Sequence, residues 1–200
     1  MNYLLHLYLS DGSDEGLLGS LMGDFIKGPI DESFPSPLRQ GILEHRRLDA
    51  FAHTNASFRA SKQRLDRNFG HCRSVMIDIF YDYILACEWH DHHPQRLEDF
   101  SQHVYRLLED RFNLLPPGLR RIAPRMIEHN WLVGYRDPRV IARVLHHLSQ
   151  RLSRPPRPLD QGLPQLQIHY PELREDWRQF LDAARLHLNA YRLEQQSPFP

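Results

Sequence analysis

Apolar positions recur along the chain at intervals of three and four residues, and no stretch alternates apolar and polar residues as a half-buried strand would. The pattern predicts a succession of helices. A short buried one carries Leu4, Leu5, Leu7, Tyr8 and Leu9 with His6 among them, and the turn-forming residues 10–13 end it. Residues 14–27 place Leu17, Leu18, Leu21, Met22, Phe25 and Ile26 on one stripe, and Gly28-Pro29 stops that helix. Past a loop rich in Pro, Asp and Ser (29–37), a helix is expected from about 38 to 54. A basic, polar segment (58–73) follows, and then residues 74–87, apolar nearly all round, which read as a central buried helix. Residues 90–94 read as a histidine-rich loop. Amphipathic helices are expected over 95–114, 119–135 and 138–152, then a proline-rich connector (154–164) and a last helix over 171–194. The expected class is all-α, a single-domain helical bundle over 1–200, since 200 residues bury a sizeable core and no linker divides them.

Polar residues break the apolar stripes at a few places. Asp78 and Asp82 are the only charges in the central helix. An isolated buried carboxylate costs several kcal/mol, on the order of the effective penalty after relaxation, so both need cations, donors or a metal. Asp24 lies three residues after Leu21, on the apolar stripe of its own segment, and His6 stands inside the first one. His45 and Asp49, four apart in a helical pattern, project side by side. Buried salt bridges to arginine would account for each carboxylate separately, and an intrahelical ion pair for His45 and Asp49. One shared metal centre accounts for all of them together. The mixture of carboxylate and imidazole suits manganese, magnesium or iron. Zincin, di-iron, nucleophile-elbow and Walker motifs are absent. The chemistry left open is hydrolysis by metal-activated water, with Arg46, Arg47 or Arg136 neutralising an anionic substrate. Gly16, Gly19, Ser20 and Gly23 form a small-residue face that another backbone or a ligand can approach closely.

The 25 basic and 25 acidic residues cancel, so no global field draws in nucleic acid or a membrane. Cys72 and Cys87 lack metal-type spacing and fit reduced thiols, which points to a cytoplasmic protein. The first nine residues have neither the basic lead-in nor the length of a signal peptide or membrane span.

Five stretches, in order, resemble the acyl carrier protein phosphodiesterases: Met1-Asn2-Tyr3-Leu4 to His6-Leu7; Gly23-Asp24-Phe25-Ile26-Lys27-Gly28; Gly41-Ile42 to His45-Arg46-Arg47-Leu48-Asp49; Asp78 to Asp82; and Trp131-Leu132-Val133-Gly134-Tyr135-Arg136. The similarity runs to about residue 150 and weakens after Arg154. It implies an all-α fold related to the HD-type phosphohydrolases, dependence on Mn2+ (with Mg2+ or Fe2+ as substitutes), and hydrolysis of 4'-phosphopantetheine from the serine of holo-acyl carrier protein. The expected metal ligands are Asp24, His45, Asp49, Asp78 and Asp82, joined by His6. Asp24 is also expected to be required for catalysis, with Arg46 and Arg47 steadying the phosphoryl oxygens and Lys27 assisting. A basic docking face for the acidic carrier is expected among Arg39, Arg59, Lys62, Arg64, Arg67 and Arg73. The chain departs from the family pattern at Ser20, at Ala52-His53 and at Tyr83, where His53 could replace a lost carboxylate ligand. An HD-like phosphohydrolase of nucleotides or other small diesters, and a non-catalytic module that binds carrier proteins, are the alternative readings.

Overall fold

The computed structural model describes residues 3–151 and 159–196, and among these every regular element is helical. Eleven α-helices follow in order: α1 (Tyr3–Leu9), α2 (Asp14–Met22), α3 (Ser36–Thr54), α4 (Ala56–Arg64), α5 (Arg73–His92), α6 (Leu97–Asp110), α7 (Pro117–Glu128), α8 (Trp131–Gly134), α9 (Pro138–Arg151), α10 (Leu163–Ile168) and α11 (Tyr170–Gln196). Short 3-10 turns precede α5, α7 and α10.

Local chemistry sets several boundaries. The Ser13 hydroxyl accepts the Gly16 amide at the start of α2, and Asn55 accepts the amides of Ser57 and Phe58 at the start of α4, each satisfying donors that a helix N-terminus leaves open. α3 and α7 begin with a proline in the first turn, where its missing N–H is no loss.

Some boundaries differ from the sequence expectation. α2 ends at Met22, because the amides of Phe25 and Ile26 both return to the Met22 carbonyl and fold 23–26 into a turn. α5 runs through the expected loop to His92, where Trp89 Nε1 donating to the Gln95 carbonyl fixes the chain's exit. The polar segment after α3 forms α4, whose Phe58 and Ser61 are buried. The expected 119–135 helix is split at Asn130, which adopts a left-handed φ of 47°. Of the expected proline-rich connector, 154–158 lie outside the described residues, and the rest is helical, a 3-10 turn (Leu159–Gly162) running into α10.

α5 is the axis of the bundle. It is buried through Met76, Ile77, Phe80, Tyr81, Ile84, Leu85 and Trp89, and it touches α1, α4, α6, α9 and α11. The α2–α3 seam is the tightest. A Cβ on Gly19 would lie 2.7 Å from the Leu38 carbonyl and 2.8 Å from the Gly41 Cα, and one on Gly41 would lie 2.9 Å from the Gly16 carbonyl. The small-residue face of α2 therefore meets the backbone of α3, bringing the end of α2 against its middle.

α1 is too short to hold itself together in water. It is held at its start from α5: the Asp82 carboxylate accepts the amides of Leu4 (3.1 Å) and Leu5 (2.9 Å) from a position with no solvent exposure. Its two oxygens satisfy two donors at the helix start that would otherwise be orphaned.

Candidate metal centre

α1, the turn after α2, and the middle of α3 converge on one cluster. α1 supplies His6 and α3 supplies His45 and Asp49. His6 Nε2 lies 3.2 Å from Asp49 Oδ1, and His45 Nε2 lies 3.4 Å from Asp49 Oδ2 and 3.6 Å from Asp24 Oδ1. One ligand atom from each of His6, His45 and Asp49 falls within 4.8 Å of the others. The two imidazoles stack with centroids 3.8 Å apart and planes 17° from parallel. His6 and His45 are buried, at 6% and 4% exposure, while Asp49 is 54% exposed, so the cluster opens to solvent on the Asp49 side.

Two features orient His45. Its Nδ1–H donates to the Ser20 carbonyl at 2.7 Å, which aims Nε2 at the carboxylates. A metal-binding imidazole is commonly fixed in this way. Gly23 makes room for the ring, since a Cβ there would sit 2.3 Å from the His45 ring carbon Cγ. His45 Nε2 is buried and lacks a hydrogen-bond partner of adequate geometry. Ligand atoms on a cation with bonds of about 2.0–2.2 Å stand roughly 3–3.5 Å apart, and around this nitrogen Asp49 lies at 3.4 Å and Asp24 at 3.6 Å. The donor set fits a divalent metal on that ground.

The electrostatics of the pair are divided. Burial, reinforced by the charge of His45, pulls His6 down to about 4, so it is neutral at physiological pH. Burial also opposes charge on His45, but the attraction of the Asp24 and Asp49 carboxylates, 3.6 and 3.4 Å from Nε2, outweighs it and raises His45 to about 9. Asp24 and Asp49 are held below the usual carboxylate range by the two histidines, against the effect of burial. Without a metal the cluster thus holds one imidazolium between two carboxylates.

Of the residues singled out in the sequence, His6, Asp24, His45 and Asp49 come together. Asp78 is close enough for the charges of Asp24 and Asp49 to act on it, and burial first, then those charges, raises it to about 7. Asp82, raised to about 8 by burial against its two amide bonds, has both oxygens engaged by α1. Arg46 donates to the Ile26 carbonyl at 2.7 Å and so ties down the turn that carries Asp24. The Arg47 guanidinium stacks 4.0 Å above the Tyr191 ring of α11. Lys27 and His53 are exposed. Tyr83 packs edge-on to Tyr170 and hydrogen-bonds Cys87, away from the cluster. In the expected docking face, Arg64 is paired with Asp176 at 2.7 Å and Arg73 donates to the Gly70 carbonyl, while Arg59 and Arg67 are exposed.

Sequence reasoning missed one charged pair beside the cluster. Glu44 is buried at 5% exposure and takes a two-point contact from Arg192, Nε to Oε1 at 3.0 Å and Nη2 to Oε2 at 2.7 Å. Its position four residues before the buried Leu48, on the same helical face, was the available signal. Glu44, His6, His45, Ser20 and Leu188 together line a shallow hollow next to the cluster.

The described fold is all-helical and brings two histidines and two carboxylates together from three segments. The family comparison is more specific. The acyl carrier protein phosphodiesterase family model matches residues 1–184, and the chain belongs to that family. It is similar to the acyl carrier protein phosphodiesterases of Shigella boydii (29% identity, covering 90% of this chain and 93% of the relative), Klebsiella pneumoniae (28%; 93% and 97%) and Photorhabdus laumondii (28%; 77% and 78%). No solved structure matches the chain. Among the described residues, no helix is long and apolar enough to cross a membrane.

Proposed function

We propose that this chain is a metal-dependent phosphodiesterase that removes 4'-phosphopantetheine from the serine of holo-acyl carrier protein, leaving the apo-carrier. Family membership supports the substrate, and the convergence of His6, His45 and Asp49 around an unsatisfied imidazole nitrogen supports the metal. In this reading His6, His45, Asp49 and Asp24 hold the ion, with Asp78 as the neighbouring carboxylate, and Mn2+ is the preferred occupant ahead of Mg2+ or Fe2+.

When bound, the cation acidifies water and polarises the phosphoryl oxygens. The chain's own residues do the rest. His6 is neutral and ready to bind, and the Ser20 carbonyl keeps His45 Nε2 on target. Asp49 marks the solvent-facing side by which a diester attached to a protein can enter. Arg46, Arg47 and Lys27 supply positive charge toward the phosphoryl oxygens, Arg46 while anchored to the Ile26 carbonyl. Arg59, Arg64 and Arg67 are the exposed members of the face assigned to the carrier, Arg64 while paired with Asp176. Asp82 supports α1 and is the least available of the expected ligands. We read residues 1–200 as one domain and place it in the cytoplasm, where the free thiols Cys72 and Cys87 would stay reduced.

The deciding experiment incubates purified protein with holo-acyl carrier protein and Mn2+ and follows the carrier's mass. Loss of the phosphopantetheine mass with Mn2+, and none after chelation, is the expected result. An unchanged mass at saturating Mn2+ would remove this reading, and cleavage of free nucleotides in the same assay would move the activity to small diesters.

A further inference from the structure

The last turns of α11 lie beyond residue 184, where the family match ends, yet three side chains there reach α3 on the helix that carries His45 and Asp49. His187 stacks on Phe51 with centroids 4.5 Å apart, Tyr191 lies under the Arg47 guanidinium, and Arg192 grips Glu44, the residue before His45. The same Arg192 Nη2 donates to the Leu9 carbonyl at 2.6 Å. Leu9 ends α1, so this carbonyl is one that the helix leaves unbonded, and a cation there complements the negative end of the helix.

One guanidinium therefore joins the end of the helix that bears His6 to the helix that bears His45. With Asp82 at the other end, α1 is held by side chains of two other helices. The Tyr8 hydroxyl, donating to the His92 carbonyl at 3.3 Å, is a further tie from α1 to α5. A slip of α1 would carry His6 away from the stacked ring of His45.

We propose that Arg192, through Glu44 and the Leu9 carbonyl, is a positioning residue that sets the distance between His6 and His45, and that the segment of α11 beyond the family match completes the metal centre. The proposal rests on the metal-dependent reading for its functional consequence but not for its structural one. The chemistry requires a planar fork: the guanidinium serves three acceptor atoms on two helices, which an ammonium cannot reproduce.

The test compares the full-length protein with Arg192→Gln, Arg192→Lys and Glu44→Gln, and with Arg178→Gln as a control. Arg178 pairs with Glu88 on α5 at 3.3 Å, so its loss perturbs α11 without touching α1. Two readouts are used: hydrogen exchange of α1 amides in metal-free protein, and Co2+ binding followed by calorimetry and by the visible absorption of the bound ion. Arg192→Gln is expected to speed exchange in α1 at least tenfold and to weaken Co2+ binding about 10–100-fold with an altered spectrum, the scale seen when a residue supporting a metal ligand is removed. Arg192→Lys should recover part of both, and Arg178→Gln neither effect. Wild-type exchange of α1 in Arg192→Gln overturns the proposal, as does an equal loss in Arg178→Gln. If wild-type protein takes up no Co2+, the metal-dependent reading falls, and α1 exchange alone decides the role of Arg192.

Discussion

The rings of His6 and His45 stack 3.8 Å apart, and the cluster favours a proton on one of them, His45. A cation entering the cluster must displace that proton, because a metal binds neutral imidazole. At pH 7 metal uptake should release about one proton, and affinity should rise close to tenfold per pH unit until it levels near 9, the value to which Asp24 and Asp49 raise His45. Calorimetry in buffers of differing ionisation enthalpy measures the proton count directly, and a flat affinity between pH 6.5 and 8.5 would contradict it.

The same pair governs the stability of the metal-free protein. His45 is raised above its unfolded value of 6.5, so its contribution is complete below 6.5 and is lost as pH climbs to about 9. His6 is lowered, so its contribution is complete above 6.5 and is lost as pH falls toward 4. The pair therefore favours a stability maximum near pH 6.5. Asp78 and Asp82, raised to about 7 and about 8, add stability that is lost as pH rises through those values, so thermal unfolding from pH 5 to 9 should show its decline on the alkaline side, and saturating Mn2+ should lessen that decline.

Asp49→Asn separates binding from folding. The side chain is more than half exposed but partners the buried His6 and His45, so metal-free Asp49→Asn should lose modest stability where His45 is protonated and approach wild type as pH climbs to about 9. Metal affinity should fall at least tenfold, and turnover with it. Denaturant unfolding and metal titration on the same preparation check both halves.

Asp82→Asn should behave in the opposite way. The amide keeps one acceptor for α1 and loses the second, leaving a buried amide of Leu4 or Leu5 unsatisfied. The expected loss is about 1–3 kcal/mol of stability, concentrated in faster exchange of α1 amides. Undiminished stability together with abolished metal binding would return Asp82 to the ligand set.

Gly23→Ala tests the packing that frames the site. A Cβ placed 2.3 Å from the His45 ring forces the imidazole off the Ser20 carbonyl, so metal binding should weaken well beyond any change in unfolding midpoint. Gly19→Ala instead wedges α2 from α3 at the backbone, with an expected cost of about 1–3 kcal/mol. The two variants together distinguish misplacement of one ring from opening of the seam.

Helix periodicity made the bundle legible, and polar residues on apolar stripes marked His6, Asp24, His45 and Asp49 before any coordinates. The same logic could not separate Asp78 from Asp82, because spacing within a helix reports a shared face and not what meets it. α1 lies 77 and 78 residues away from Asp82, and only tertiary structure shows its amides arriving there. Arg46 and Arg47 were legible as charge beside the site, but not as an anchor for the Ile26 carbonyl and a partner for Tyr191. The end of α2 was misplaced because Phe25 and Ile26 keep the helical period even though Gly23 and the bonds to Met22 turn the chain. Arg192 was invisible for the reason Asp82 was ambiguous, since its acceptors, Leu9 and Glu44, are 183 and 148 residues distant.

That separation has a consequence for a chain made from its N-terminus onward. All four clustered side chains have been synthesised once residue 49 is added, whereas the clamp on α1 waits for Asp82 and then for Arg192. A nascent chain thus carries the four side chains long before it carries the residues that fix α1, and under the proposed role of Arg192 their spacing is set only when α11 docks.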